Sequence, residues 1–410
     1  MSKRRVAVTG IGVVSSIGIG KDAFWKNLIA GKSGISEVES FDTSKYENHR
    51  GGEVKDFDPL EYIESSNVKN VGRGSQFAIA AARMAIKDSG IDINGLNKSR
   101  IGVIIGTTMA DAQRIEEMDK TWVESSEKDV DAKLIPQYPG SVMASNVAFN
   151  LGLEGPNISI PTACSAGNYS IGYSFDLLAE GKTEYMLAGG ADPFSRIAFT
   201  GFNRLFAVAP EKCQPFDKNR KGMMVGEGAG VLVLESLESA KKRKADIYAE
   251  VLGYALSCDA HHMTAPSVDG IKIVMKNAMK HARISPDKVD YISAHGTGTP
   301  SNDKAECSAA RQVFKEIYKD IPMSSIKSML GHTMGAASAI EAMACCLAIK
   351  TSIVPPTINY ETPDPECDIN CVPNTARKKV VRVALNNSLA FGGNNACVVM
   401  KEYLPETRYG

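Results

Sequence analysis

The sequence predicts an α/β fold assembled from two similar halves, and three observations carry that expectation. Short β-branched runs alternate with stretches of helical spacing, as strands joined by packed helices do. The alternation runs through once and restarts near residue 250. No low-complexity linker marks the restart, so residues 1–250 and 251–410 are expected to fuse in one compact body. At about 150 residues per domain, a chain of 410 residues would allow roughly three units; the repeated pattern argues for two.

Arg5 to Val14 reads as a buried strand whose Gly10-Ile11-Gly12 leads into a turn. Asp22 to Ala30 has helical spacing and stops at Gly31, and the Ala-rich stretch Gln76 to Ser89 ends at Gly90 as a helix does. Arg100 to Gly106 is a second buried strand; the polar run Ala112 to Lys128 suits an exposed helix or an insertion. Ile158 to Ile160 leads through Pro161 into a helix ending at Leu178, followed by strands at Tyr185 to Ala188 and Gly230 to Leu234. After Lys244 come a strand (Ile247 to Leu256), a helix (Gly270 to Ala282), a strand (Val289 to Ala294) and a helix (Asp303 to Phe314). A helix at Gly335 to Ile349 and strands at Val380 to Leu385 and Ala396 to Met400 complete the pattern. Alternation of this kind implies parallel-sheet units.

Composition narrows the function. Hydrophobic residues are 43% and charged residues 23%, an ordinary globular balance. Lys plus Arg equals Asp plus Glu at 47 each, so the chain lacks the basic field of a nucleic-acid binder. Nine cysteines, an odd number spread over Cys164 to Cys397, argue against a disulfide framework and for a reducing compartment. With six histidines and no paired Cys spacing, no metal cluster is expected. Ser2-Lys3-Arg4-Arg5 before an apolar run mimics a secretory leader, but Gly and Ser interrupt the run and no small-x-small cleavage site follows. No stretch reads as the ~18 apolar residues of a membrane span, and the expected setting is cytoplasmic.

Several motifs have an ordinary reading. Gly10-x-Gly12 lacks the third glycine of a dinucleotide fingerprint, because Ser15 stands there; a tight turn is expected. Ser324-x-x-Lys327 matches an acyl-enzyme signature without its companion elements. Lys241 to Lys244 and Arg377 to Lys379 are expected as solvated helix end and edge-strand protection. Cys164 is different. Pro161-Thr162-Ala163-Cys164-Ser165-Ala166-Gly167 puts a thiol on a sharp strand-to-helix turn, where helix N–H groups would lower its pKa and hold an oxyanion. His295 and His332 both sit in Gly-rich loops, one after a strand and one before a helix, and with Lys327 they complete a candidate constellation.

TACSAG at Thr162, HGTGT at His295 and SSIKSMLGHTMGAA at Ser324 resemble the β-ketoacyl-acyl-carrier-protein synthases, closest to the synthase II type and the ketosynthases of type II polyketide systems. The resemblance spans essentially the whole chain, including VTGIGVVSSIG at the start, Pro215 to Gly230, DAHHMTAP at Asp259 and FGGNNA at Phe391. It implies the thiolase fold, two α/β halves in a five-layered α-β-α-β-α body, usually dimeric. It implies an elongating acyltransferase that joins malonyl and acyl units carried on the phosphopantetheine arm of acidic acyl carrier protein, with no permanently bound cofactor.

In that reading Cys164 holds the acyl chain, and His295 and His332 stabilise the enolate. The N–H groups of Cys164 and Phe391 form the oxyanion hole, and Lys327 with Glu306 and Asp303 sets the charge around the histidines. Thr297 and Thr299 contact the arm, and Lys69, Arg73 and Arg204 are candidates for a basic docking patch. Asp303 on a helix surface is the competing expectation for that residue. Thr107-Thr108-Met109-Ala110-Asp111 and Leu389-Ala390-Phe391 depart from the family's usual pattern and bear on chain length and on the gate over the cysteine. A thiolase would need a second cysteine near Phe391, and a priming synthase an Asn in place of one histidine. A scaffold subunit would not need Cys164, His295, Lys327 and His332 together. Homodimer, or heterodimer with a chain-length-factor homologue, are both open.

Overall fold

The computed structural model describes residues 4–404, so Ser2 and Lys3 of the basic N-terminal run lie outside the described residues. Ten strands carry the architecture: β1 (Val6–Ser15), β2 (Ile101–Gly106), β3 (Asn157–Ile160), β4 (Tyr185–Asp192), β5 (Gly228–Ser236), β6 (Ala249–Cys258), β7 (Tyr291–Ser293), β8 (Met323–Ser324), β9 (Val383–Leu389) and β10 (Asn394–Lys401). Hydrogen bonding orders them β8-β7-β9-β10-β6-β1-β5-β4-β2-β3. The first five strands run β3-β2-β4-β5-β1 and the second five β8-β7-β9-β10-β6, the same topology repeated with each strand five places on. The two runs join where β1 meets β6 antiparallel, Val6 opposite Val251 and Val8 opposite Ala249.

The sheet is mixed: each half holds an expected parallel unit and adds antiparallel strands to it. β2 is parallel to β3 and β4, and β7 to β8 and β9; the remaining pairs are antiparallel. The cause is visible at β9 and β10. Only residues 390–393 separate them, too few for a crossover, so the second strand must run back beside the first.

Helices α1 (Lys21–Ile29), α2 (Arg73–Ser89), α3 (Gln113–Glu124), α4 (Val142–Leu151), α5 (Ala166–Ala179), α6 (Arg196–Arg204), α7 (Val268–His281), α8 (Pro300–Phe314) and α9 (Ala337–Thr351) complete the fold. α2 and α4 cover one outer face, α7 with α8 packed on it covers the other, and α5 and α9 pack against each other in the middle: five layers. Gly10 and Gly12 lie inside β1, not in a turn. A Cβ on Gly12 would meet the Ala81 carbonyl at 1.8 Å and one on Gly10 the Ala85 carbonyl at 2.2 Å, so the glycines let α2 lie directly on the strand.

Every residue of α9 from Ala337 to Ile349 is buried. With its leading turn this helix, Met334–Thr351, is long and apolar enough to cross a membrane, contrary to the sequence expectation, but 89% of it lies inside the molecule. A helix covered on all sides is apolar all round. All nine cysteines are free thiols.

Candidate active site

The nucleophile turn is a single tight turn, Ala163–Ser165, between the end of β3 and α5. Ala163 sits at φ 50°, in the left-handed region that disfavours residues with a Cβ. Two bonds from the second run of strands hold the turn. Ser388 Oγ of β9 donates to the Cys164 carbonyl, and Ser165 Oγ donates to the Asn394 carbonyl, both at 2.9 Å. The backbone N–H groups of Phe391 and of Cys164 itself point at the Cys164 sulfur. Burial pushes this thiol up to about 11, although the Lys327 charge and those two N–H groups pull the other way. This corrects the expected lowering: at a site nearly closed to water, desolvation of a thiolate outweighs its favourable neighbours.

Phe391 occupies the β9–β10 connection. Gly392 and Gly393, at φ 82° and 78°, let the chain reverse there, and the Gly392 N–H is anchored on the Met263 carbonyl at 2.8 Å. The Phe391 ring is part-exposed, 5.6 Å from the Phe202 ring, at the lip of a pocket of about 530 Å³ that also takes in open solvent. Cys164, His295, His332, Thr297 and Thr299 line this pocket.

The two imidazoles meet edge to face with ring centres 5.5 Å apart. His332 Nδ1 accepts the Met334 N–H at 3.1 Å, so the ring proton must sit on Nε2, which is buried and unpartnered. His295 Nδ1 lies 3.4 Å from Lys327 Nζ, which can only donate to it, so His295 likewise carries its proton on Nε2. Burial, and then the Lys327 charge, hold both imidazoles well below their ordinary value. Both are therefore neutral donors at physiological pH.

Lys327 is buried and ion-paired with Glu341 of α9, not with the acids expected from sequence. Glu341 was missed, although a lone acid in an otherwise apolar helix was a readable signal. Glu306 instead accepts the His295 and Gly296 N–H groups, both at 2.9 Å, and so fixes the loop that carries His295. Burial lifts Glu306 and Glu341 each to about 7. Asp303 is not on a helix surface. It is fully buried, accepting the Phe216 N–H at 2.8 Å and the Gly298 N–H at 3.2 Å beside Arg220. A helix that packs against α7 and the strand-exit loops has little free face.

The Thr297 and Thr299 hydroxyls bond each other at 2.8 Å. Of the expected basic patch, Lys69 and Arg204 are exposed, but Arg73 is bound to Glu227 and the Val54 carbonyl and stacks on Phe77, so it is structural. Thr107, Thr108 and Met109 of the departing segment are tied to Asp192, and Asp111 accepts the Gly74 and Ser75 N–H groups.

The ligand-type atoms of Cys164, His295 and His332 lie within 4.8 Å of one another, so three members of the expected constellation do meet. The hydrogen bonding does not suit a metal. A metal-bound Nε2 needs its proton on Nδ1, donating outward, and here Nδ1 of His332 faces a backbone donor and Nδ1 of His295 a lysine.

Comparison with known proteins agrees with this geometry. The N-terminal domain of the β-ketoacyl synthases matches residues 3–240 and the C-terminal domain residues 248–361. Proteins of Synechocystis sp. and Coxiella burnetii named 3-oxoacyl-[acyl-carrier-protein] synthase 2 are each 40% identical over 98% of this chain and 99% of their own length. The solved ishigamide ketosynthase/chain length factor superposes with a TM-score of 0.96 at 42% identity, covering 98% of this chain and all of that one. A type II PKS acyl-carrier protein in complex with its ketosynthase bound to the hexaketide gives 0.90 at 36% identity over 98% and 100%. With the fold, the cysteine turn and the paired histidines already in place, these matches assign the chain to the β-ketoacyl synthase family, condensing acyltransferases of the thiolase fold.

Proposed function

We propose that the protein elongates acyl chains by decarboxylative condensation of malonyl-acyl-carrier protein with an acyl group held on Cys164. The observation that carries this reading is the convergence of the Cys164 sulfur with two imidazoles, of which His332 keeps its Nε2 buried and without a hydrogen-bond partner. In the first half-reaction the Cys164 sulfur attacks an acyl thioester. The oxyanion is held by the Cys164 and Phe391 N–H groups, the carrier thiol leaves with the proton, and the acyl chain stays on sulfur. In the second, malonyl thioester loses carbon dioxide. The bond electrons form an enolate held by the Nε2–H groups of His295 and His332. The enolate carbon attacks the Cys164 thioester, the cysteine leaves as thiolate and is reprotonated, and a β-ketoacyl thioester departs.

Thr297 and Thr299 contact the phosphopantetheine arm, Glu306 fixes the His295 loop and the Lys327–Glu341 pair holds Nδ1 of His295. No permanently bound cofactor is needed. Arg204, at the end of the helix that also places Phe202 on the pocket, and Lys69 are the cations offered to an acidic carrier protein. The nucleophile belongs to a first half of residues 1–250 and both histidines to a second of 251–410. Nine free thiols favour a cytoplasmic setting.

The protein works as a dimer: the outer strand β3 leaves Ile158 exposed, and Phe149 on the neighbouring α4 is more exposed still. The likeness to a ketosynthase/chain length factor favours a second reading, in which the partner is a related subunit and not a second copy.

Intact-mass spectrometry with acyl-carrier proteins of graded chain length, then malonyl-carrier protein, tests the proposal. A mass gain lost in Cys164→Ala, followed by β-ketoacyl product, supports it and ranks the substrates. No acylation of the purified chain by any donor defeats the stand-alone reading and favours the chain with a partner subunit.

A further inference from the structure

Asp192 ends β4, is buried, and has no part in the steps above. Its carboxylate is saturated by four donors. Oδ1 accepts Thr107 Oγ1 at 2.6 Å and the Met109 N–H at 3.2 Å; Oδ2 accepts the Thr108 N–H at 2.7 Å and the Gly335 N–H at 2.6 Å. Three of these belong to the loop after β2. The fourth belongs to the turn that leads into α9, the turn that follows His332.

In that turn Met334 stands at φ 52°, left-handed although it carries a side chain. The peptide before it gives its N–H to His332 Nδ1, and the peptide after it gives its N–H to Asp192. The strained residue is therefore pinned on both sides. Gly335 lies so close to the loop after β2 that a Cβ there would sit 2.5 Å from Thr107 Cα.

We infer that Asp192 is a positioning residue for the condensation: by holding the Gly335 N–H it keeps Met334 left-handed, the Met334 N–H on His332 Nδ1, and the His332 proton on Nε2. The inference rests on the reading of His332 as an enolate donor. Burial lifts Asp192 to about 6, and its four donors hold it there as a carboxylate at neutral pH. Its charge opposes ionisation of Cys164, so removing that charge should not slow acylation of the cysteine.

Asp192→Asn keeps the shape but turns one oxygen into a donor facing N–H groups. The full-length variant is expected to decarboxylate malonyl-carrier protein about 10- to 100-fold more slowly, while acylation of Cys164 stays within about threefold of wild type. In ¹⁵N-histidine-labelled protein, the Nε2–H signal that vanishes in His332→Ala should become a mixture of tautomers in Asp192→Asn. Adding Met334→Gly should recover part of the decarboxylation, because glycine adopts the left-handed conformation without being held. Asp192→Ser, read in the same way, covers the case in which Asn does not fold.

Equal loss of both half-reactions with an unchanged tautomer, or no loss at all, overturns the positioning role. If His332→Ala itself decarboxylates normally, the enolate-donor reading has failed. If His332→Ala is inactive while the Asp192 variants are not, only the positioning role has failed.

Discussion

Two turns of this molecule occupy the same place in the repeated topology. Thr162-Ala163-Cys164-Ser165-Ala166 joins β3 to α5, and Thr333-Met334-Gly335-Ala336-Ala337 joins β8 to α9. Each is a single tight turn at the head of a central helix. Each has its left-handed residue at the second position, Ala163 at 50° and Met334 at 52°. They differ in what their N–H groups do. In the second turn the Met334 and Gly335 N–H groups are occupied, by His332 and by Asp192. In the first, the Cys164 N–H lies beside its own sulfur. In the proposed mechanism one turn offers its donor to a reaction intermediate; its counterpart gives its donors to the His332 and Asp192 side chains. The repeat supplies the scaffold, and the residue at the third position, a thiol or a glycine, decides the use.

The sharpest way to break this comparison is to make the turns alike. Cys164→Gly should abolish acyl transfer and condensation, a loss of at least about 10⁴-fold, read as an absent mass gain. Next in size, Lys327→Met leaves Glu341 buried without its partner and should cost about 3–5 kcal/mol in denaturant unfolding. Adding Glu341→Leu should restore much of that stability without restoring condensation. If His332 is the enolate donor of the proposed mechanism, His332→Ala should slow condensation about 10²- to 10³-fold, with Cys164 still acylated.

Glu306 gives a pH test. Its folded value of about 7 lies above the 4.5 of an ordinary glutamate, so its contribution is present below about pH 4.5 and is lost as pH rises through 7. The Tm of wild type relative to Glu306→Gln should fall steadily over that window. A flat difference would mean that the carboxyl is not perturbed. Smallest of all, Ala163→Gly relieves one left-handed residue and should change stability by less than about 1 kcal/mol.

Much of this was readable in the chain. The proline and small residues around Cys164 mark a turn that only a strand-to-helix junction makes, and the Gly-rich loops mark both histidines. What escaped reading depends on contacts between distant residues. Gly10 and Gly12 suggested a turn, because sequence does not show whether a glycine serves φ or lets a helix lie close. Glu341 could not be chosen as the partner of Lys327 over Glu306, since all three converge only after α9 is placed between the sheets. The rise in the Cys164 thiol reflects burial, which a local motif does not encode. Asp192 acts through the backbone of a segment more than a hundred residues away, so nothing near it in sequence announces it.

The central claim is that the two turns divide the reaction, one handling acyl transfer and the other decarboxylation. The most direct test measures both half-reactions in Cys164→Ala and His332→Ala: acyl transfer by intact mass, and carbon dioxide release from malonyl-carrier protein. The account predicts that Cys164→Ala still releases carbon dioxide and that His332→Ala still takes up the acyl chain. If either variant loses both half-reactions while remaining folded, the division of labour is wrong.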